Sequence, residues 1–490
     1  SSTSLLESRL VLDVDNALDG CLRNLIREEN FKAQSGQSLC FSTLGRLGPA
    51  RVCLLGLGSG DKVTHERFRR LGGRAAEAAR TCRARVLAFG CQVPELSGLN
   101  VKKMAAALVE GLRLGTYRFE KYKKEPEDLP PWAGPETVRV AAWNARGKTC
   151  IGGKELDEVL ARAGTLASGV NTARDLINEI PEVMYPEELA QRAGKLASGI
   201  PGLEVKVLDE KGMARQKMNA ALGVARGSVR PPCFIELSYA PGGTGNSAGL
   251  FLVGKGVTFD SGGLNIKTGD HMATMKADMS GAAAVIAAMT VIARLKLKIR
   301  VTALVAAVEN MPGGRAYKPD DVLTAMNGTT IEVGNTDAEG RLTLADSLSW
   351  AIENKAGRIV DLATLTGACM MGLGPHTAGA MGNDPAWLGQ VCEAAEDAGE
   401  KVAPLPLDED MEDDIKSEIA DVKNIGASRY GGAITGGLFL KKFVGETPWV
   451  HLDIAGPAHT SKKRDYAPVG GTGFGVRLLV CLVEKLVAGG

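Results

Sequence analysis

The sequence predicts an α/β protein in two parts: a smaller N-terminal α/β domain, and a larger α/β domain with a central, mostly parallel sheet flanked by helices. Three observations predict it. Apolar runs of strand length alternate with stretches of helical spacing along most of the 490 residues. A chain that long exceeds one ordinary core, since domains average roughly 150 residues. In the second part the candidate strands are nearly unbroken apolar runs, as strands covered on both faces are.

The elements follow in order. RVCLLGLG (51–58) is an apolar run bounded by glycines, THERFRRLGGRAAEAARTC (64–82) has helical spacing, and ARVLAFG (84–90) is a strand again. This β-α-β rhythm closes at VRVAAWN (138–144) and defines an N-terminal domain over 1–150. Within it the prolines and charges of YKKEPEDLPPWAGPE (122–136) mark a loop. A connecting helix is expected over 151–180, and the second domain over 181–490. Its candidate buried strands are FIELSYA (234–240), GLFLVG (249–254), IRVTALVAAV (299–308), RIVDLATL (358–365) and WVHLDIAG (449–456). The apolar stretch Ala282–Ala293 ends at Arg294. It is shorter than the ~20 residues a bilayer requires and reads as a buried helix. The acidic run DEDMEDD (408–414) reads as a solvated surface loop.

Composition narrows the function classes. Hydrophobic residues make up 44% and charged residues 23%, as in soluble globular proteins. The formal net charge of +1 leaves no electrostatic footprint for nucleic acid and no polybasic address for a membrane, so neither partner is expected. Ten cysteines are scattered without a C-x-x-C pair, which predicts reduced, mostly buried thiols in a cytosol-like compartment. The N-terminus SSTSLLESRL lacks a basic-then-apolar signal pattern. A cytoplasmic location is expected, or a plastid or other organelle if a transit peptide has been removed. Two glycine clusters invite a nucleotide reading, LLGLGSGD (54–61) and PVGGTGFG (468–475). The first is spaced G-x-G-x-G rather than G-x-G-x-x-G, and both read as turns.

The chemistry-bearing residues cluster just past strands, where open α/β sheets place their ligand crevice. Lys255 follows GLFLVG, Asp260 and Lys267 lie in VTFDSGGLNIK, and Asp278 lies in MKADMSGAAAV. Asp337, Glu339 and Arg341 stand in NTDAEGRL. Like charges ~4 Å apart repel by about 4 kcal/mol at an effective dielectric of 20, and a bound divalent metal resolves that repulsion. Taken singly, each acid also fits an ordinary turn or cap, and Asp278 could cap the helix starting near Ser280. Lys255 could be a salt-bridge partner of these acids, and Lys267 an exposed loop lysine. The five histidines are dispersed and form no H-E-x-x-H pair.

Together these segments resemble the leucine aminopeptidase (cytosol aminopeptidase) family. NTDAEGRL (335–342) is its signature octapeptide, and VGKGVTFDSGG (253–263), MKADMSGAAAV (275–285), DLATLTGA (361–368), DVKNIG (421–426) and GGAIT (431–435) fall in family order. The first domain is similar only in its general α/β character. The resemblance implies a metal-dependent aminopeptidase that releases leucine and other apolar residues from peptides with a free N-terminus. It implies two divalent ions per chain, zinc with manganese or magnesium exchangeable at one site. Asp260 and Glu339 would bridge them, Asp337 completing one site and Lys255 and Asp278 the other. Lys267 would stabilise the oxyanion, and Arg341 would hold a bicarbonate ion. Substrate-binding residues carried over are Met275, Asp278, Asn335, Thr364, Leu365, Gly367, Ala455 and Ala458. A homohexamer is implied. The sequence departs from a common family form at Ala277 and Ser280, which flank Asp278, and a local tuning of the metal site is expected there.

Two other readings compete. A different two-metal hydrolase, such as a phosphatase, could use the same carboxylates, but no arginine cluster accompanies them. A DNA-binding regulatory role, known in some bacterial relatives, is weighed against by the near-neutral charge.

Overall fold

The computed structural model describes residues 9–59, 63–92, 100–124, 132, 134–143, 149–242 and 249–489. Most of the proline-rich loop, the glycine at position 60 and the first eight residues of the N-terminal segment lie outside them. The chain divides into two units, Ser1–Ser168 with Lys462–Pro468, and Gly169–Ser461 with Val469–Gly490. The helix Gly153–Asn178 runs through the division, and the 462–468 segment returns to the first unit.

In the first unit, β1 (Ser38–Ser42) and β2 (Arg51–Leu55) form an antiparallel pair. Two short helices, Arg9–Ala17 and Cys21–Glu28, bury Val11, Leu22 and Ile26 in one cluster with Leu18 of the turn between them, Phe31 and Leu39. A second sheet pairs β3 (Val86–Gln92) with β4 (Thr137–Trp143) in parallel, and β4 with β5 (Thr149–Ile151) antiparallel. The parallel crossover therefore joins β3 to β4 through the helix Val101–Thr116, whereas the sequence suggested one from 51–58 to 84–90. The reason is local: β2 pairs with β1, in register from Ser42↔Arg51 to Ser38↔Leu55.

That register also corrects the expectation of uniformly reduced, mostly buried cysteines. Cys40 lies opposite Cys53 with Cα atoms 4.0 Å apart, and the two form a disulfide. Cys233 and Cys369 are buried, but Cys21 and Cys150 are exposed.

The second unit is built on a nine-stranded sheet. Its strands are β6 (Leu203–Leu208), β7 (Cys233–Tyr239), β8 (Leu250–Gly254), β9 (Gly256–Asp260), β10 (Val301–Asn310), β13 (Arg358–Ala363), β14 (Ala378–Gly382), β15 (Val402–Pro404) and β17 (Trp449–Asp453). A separate small sheet holds β11 (Val322–Thr324), β12 (Thr330–Glu332) and β16 (Val422–Lys423). The large sheet runs β15-β14-β17-β13-β8-β10-β7-β6, with β9 also on β10. Its centre, β17-β13-β8-β10-β9, is parallel; antiparallel steps occur at β14-β17, β10-β7 and β7-β6. Every β8, β13 and β17 residue except Arg358 is buried, which explains their unbroken apolar runs.

Helices pack on this sheet, among them Ser280–Arg294, Gly340–Glu353 and Gly432–Lys441. Residues 280–293 are all buried, so the apolar stretch at 282–293 is a core helix. Leu342, Leu344 and Leu348 join Phe251, Val253, Leu304, Ile359, Phe439 and Trp449 in the main hydrophobic cluster. The acidic run forms a short 3-10 turn, Glu409–Ile415, at the surface and anchored by buried Ile415.

Candidate active site

The carboxyl ends of β8, β9 and β10 supply the site. Lys255 occupies the single position between β8 and β9; its N–H donates to Leu362 O at 3.0 Å, and its carbonyl accepts from Ala282 N at 2.9 Å. The helix beginning at Ser280 is thereby drawn against β8 and β13, which brings Asp278 close. Only glycine permits this approach, since a Cβ on Gly281 would stand 2.0 Å from Leu362 O. Asp260 ends β9, and the chain turns at once through Gly262 (φ +87°) and Gly263 (φ +66°). Asp337 and Glu339 lie in the loop before the helix Gly340–Glu353.

These side chains meet. Lys255 Nζ donates to Asp278 Oδ1 at 2.7 Å and Thr364 O at 3.0 Å, and pairs with Glu339 Oε1 at 2.8 Å. Lys267 Nζ pairs with Asp260 Oδ2 at 2.8 Å and Asp337 Oδ1 at 2.6 Å. Oxygens of Asp260, Asp337 and Glu339 all lie within 4.8 Å of one another. Thr364 Oγ1 donates to Asp278 Oδ1 at 2.7 Å. Lys255 and Lys267 thus stand as counter-ions among four acids.

Burial makes the arrangement costly. Lys255, Asp260, Asp278 and Glu339 are each no more than 5% exposed. Burial, with the charge of Asp260, pushes the Glu339 carboxyl up to about 8 against the pull of Lys255. Burial pushes Asp278 up to about 6 despite Lys255. Burial opposes the charge on Lys255, but Asp278 and Glu339 outweigh it and hold the ammonium's pKa well above the usual lysine range.

Does this set fit divalent ions? Two lysines neutralise only half the charge of four carboxylates, and among the described residues the buried oxygens Asp278 Oδ2 and Glu339 Oε2 find no hydrogen-bond donor. A buried acceptor left bare costs about 1–3 kcal/mol, more when charged. Hard oxygen donors in excess of positive charge suit magnesium, manganese or zinc, so the residues fit. Lys255 could join them as a ligand only by giving up its proton.

Arg341, in the first turn of the helix Gly340–Glu353, is 7% exposed. Its Nε has no hydrogen-bond partner among the described residues, and burial draws the guanidinium down to about 10 against the charges of Glu339 and Asp453. It is a buried cation within electrostatic reach of Glu339 and Asp453.

The expected substrate-binding residues divide. Thr364 touches Asp278 directly, and Leu365 N and Ala455 N both donate to Asp453 Oδ1, which joins the ends of β13 and β17. Met275 is half-buried in the 3-10 turn that carries Asp278, and Gly367 is exposed at the start of a short helix. Asn335 spends its side chain on its own loop, accepting from Asp337 N at 2.7 Å. Ala458 is 2% exposed, and its backbone bonds run to Ile454 and Thr472.

Sequence reasoning missed the residues that hold these loops. Asn424 Nδ2 donates to Asn335 O at 2.7 Å, and its Oδ1 accepts from Gly334 N at 2.7 Å. Tyr317 OH donates to Thr336 O at 2.6 Å. Asn310 closes the apolar strand VTALVAAVEN, and that position was the available signal. A second omission lies inside the sheet. His451 Nδ1 and Trp449 Nε1 each stand 2.6 Å from the Asp361 carboxylate, all three wholly buried. Two polar residues within RIVDLA and WVHLD could have revealed this pair.

Comparison with known proteins places this geometry. Residues 171–480 match the family described as "Cytosol aminopeptidase family, catalytic domain", and residues 4–126 match its N-terminal domain. The first unit's likeness is therefore more specific than a general α/β character. A probable cytosol aminopeptidase of Persephonella marina is 44% identical over 95% of this chain and 92% of its own length. One from Aquifex aeolicus is 45% identical over 94% and 89%. A tomato leucine aminopeptidase mutant superposes with a TM-score of 0.86 at 37% identity, covering 98% of this chain and 89% of that one. The bottromycin maturation enzyme BotP in complex with Mn gives 0.85 at 35% identity, over 94% and 96%.

Proposed function

Because the chain belongs to the cytosol aminopeptidase family and is a metal-dependent aminopeptidase, we propose that Asp260, Asp278, Asp337, Glu339 and Lys255 hold two divalent ions and that leucine and other apolar N-terminal residues are its preferred substrates. The observation that carries this reading is the convergence of Asp260, Asp337 and Glu339 within 4.8 Å. Zinc, with manganese or magnesium exchangeable at one site, suits these oxygen ligands, and manganese is the ion bound by the related BotP. When bound, the ions polarise the scissile carbonyl and acidify the attacking water.

The chain's own residues do the rest. Lys267, aimed by Asp260 and Asp337, donates to the developing oxyanion. Asp278 offers its unpartnered Oδ2 to the substrate's free amine, which restricts the enzyme to unblocked N-termini. Arg341 holds a bicarbonate ion, the anion its buried Nε calls for, as general base. Met275, Thr364, Leu365, Gly367, Ala455 and Ala458 carry no charge, so a charged substrate side chain would be desolvated there without a partner. A homohexameric assembly and a cytoplasmic location belong to the same proposal.

Hydrolysis of a leucyl-amide by chelator-stripped and manganese-restored enzyme tests it. Activity should vanish and return, with leucyl over aspartyl substrates favoured at least ~10²-fold in kcat/KM. Chelator-resistant activity would refute the metal assignment, and equal rates on aspartyl substrates the pocket assignment.

A further inference from the structure

Two ligand-bearing segments, the turn after β9 and the loop before the helix Gly340–Glu353, come from separate stretches of chain, and one residue spans them. Asn310 ends β10 directly opposite Asp260 in the parallel ladder and is wholly buried. Its Nδ2 donates to Asp260 Oδ1 at 2.8 Å and to Thr336 O at 2.9 Å. A carboxamide nitrogen carries two hydrogens, so one goes to each segment. Its backbone carbonyl takes Ser261 N at 2.9 Å and Ser261 Oγ at 2.7 Å. Thr336 Oγ1 adds a bond to Gly262 O at 2.6 Å.

The consequence for Asp260 is a fixed rotation. Oδ1 receives Asn310 Nδ2 and Gly262 N, at 2.8 and 2.9 Å, while Oδ2 faces Lys267. One oxygen is committed to the scaffold and the other is turned to the site. Asn310 Oδ1, by contrast, has no hydrogen-bond partner among the described residues. The side chain is there for its donors.

We propose that Asn310 is a positioning residue of the metal centre: its two amide hydrogens lock the Asp260 carboxylate to the Asn335–Glu339 loop, keeping the ligands of both segments in register. This rests on the two-metal reading above. Asn310→Asp keeps the shape and replaces both donors with an acceptor that repels Asp260 Oδ1 and Thr336 O. Asn310→Ser keeps one hydrogen and can serve one segment at a time.

Metal-free wild type and both variants are titrated with Mn²⁺ by calorimetry and with Co²⁺ by visible absorption, beside thermal melts of the metal-free proteins. Asn310→Asp should bind Mn²⁺ ~10–100-fold more weakly, with shifted Co²⁺ bands, and Asn310→Ser should fall between it and wild type. Unchanged Mn²⁺ affinity and Co²⁺ bands would overturn the proposal, however far the metal-free melting temperature falls. Should Asn310→Asp fail to fold, Asn310→Ser decides by the same two readouts. Wild type binding neither ion would overturn the two-metal reading itself, and the proposal with it.

Discussion

In the N-terminal unit Arg69 and Glu110, both nearly excluded from solvent, pair at 2.9 Å; Arg69 also meets Glu66 at 2.5 Å, and Glu110 meets Arg162 at 3.7 Å. At the strand ends of the larger unit, four carboxylates face two lysines, and two buried oxygens find no donor among the described residues. The same residue types are buried in both places. What differs is the balance. A matched buried pair holds structure and resists the loss of either partner, whereas a surplus of one sign is tolerated only where a ligand of the other sign completes it.

Glu339→Ala should break that comparison most visibly. Removing a proposed bridging ligand should leave fewer than two ions per chain by metal analysis. Activity should fall by at least ~10³-fold, since metals supply several kcal/mol of transition-state stabilisation. Above about pH 8, where Glu339 is ionised, the variant stripped of metal should nonetheless melt higher than stripped wild type, because surplus buried charge has gone. Full metal occupancy with activity intact would refute the assignment.

Lys267→Ala separates holding metal from using it. The metals should stay while kcat drops by ~10²–10³, the usual cost of losing an oxyanion donor. Loss of metal instead would make Lys267 a structural counter-ion.

Glu110→Ala supplies the contrast. Leaving the buried Arg69 with only one of the two carboxylates named above should cost up to about 3–5 kcal/mol in denaturant unfolding while kcat per folded molecule stays put. A neutral outcome would mean the pair in the N-terminal unit is not the matched structural element described above.

The smallest effect is pH dependence. Without bound metal, burial pushes Glu339 up to about 8 and Asp278 up to about 6, both above the ~4 of unfolded carboxyls, so the stripped native state should hold protons the unfolded chain has lost. Stability from these groups is therefore greatest at acid pH and falls as pH rises from about 4 to about 8. Melting temperatures of the stripped protein should fall across that window, Mn²⁺ should restore them at the alkaline end, and Glu339→Gln should flatten the slope.

Much of this was legible in the sequence, for physical reasons. The strands of the parallel core declared themselves because burial on both faces demands unbroken apolar runs such as GLFLVG. Singly, the charged groups past those strands fit ordinary turns and caps; they stood out together, because NTDAEGRL and its neighbouring segments carried a family's order intact. What stayed hidden depends on partners far apart in the chain. Nothing near Cys40 announces Cys53 as its strand neighbour, because the β1–β2 register is set by pairing rather than by composition. Asn310 reads as a strand end until Asp260 and Thr336 are seen beside it. Asp361 and His451, ninety residues apart, acquire meaning only as neighbours in a parallel ladder.

The central claim, that the unmatched acids are a two-metal site, is tested most directly by titrating chelator-stripped protein with Mn²⁺ while following leucyl-amide hydrolysis. The account predicts two ions bound per chain, with activity rising as they bind and no activity before. Full activity in the stripped protein, or saturation without two bound ions, would contradict it.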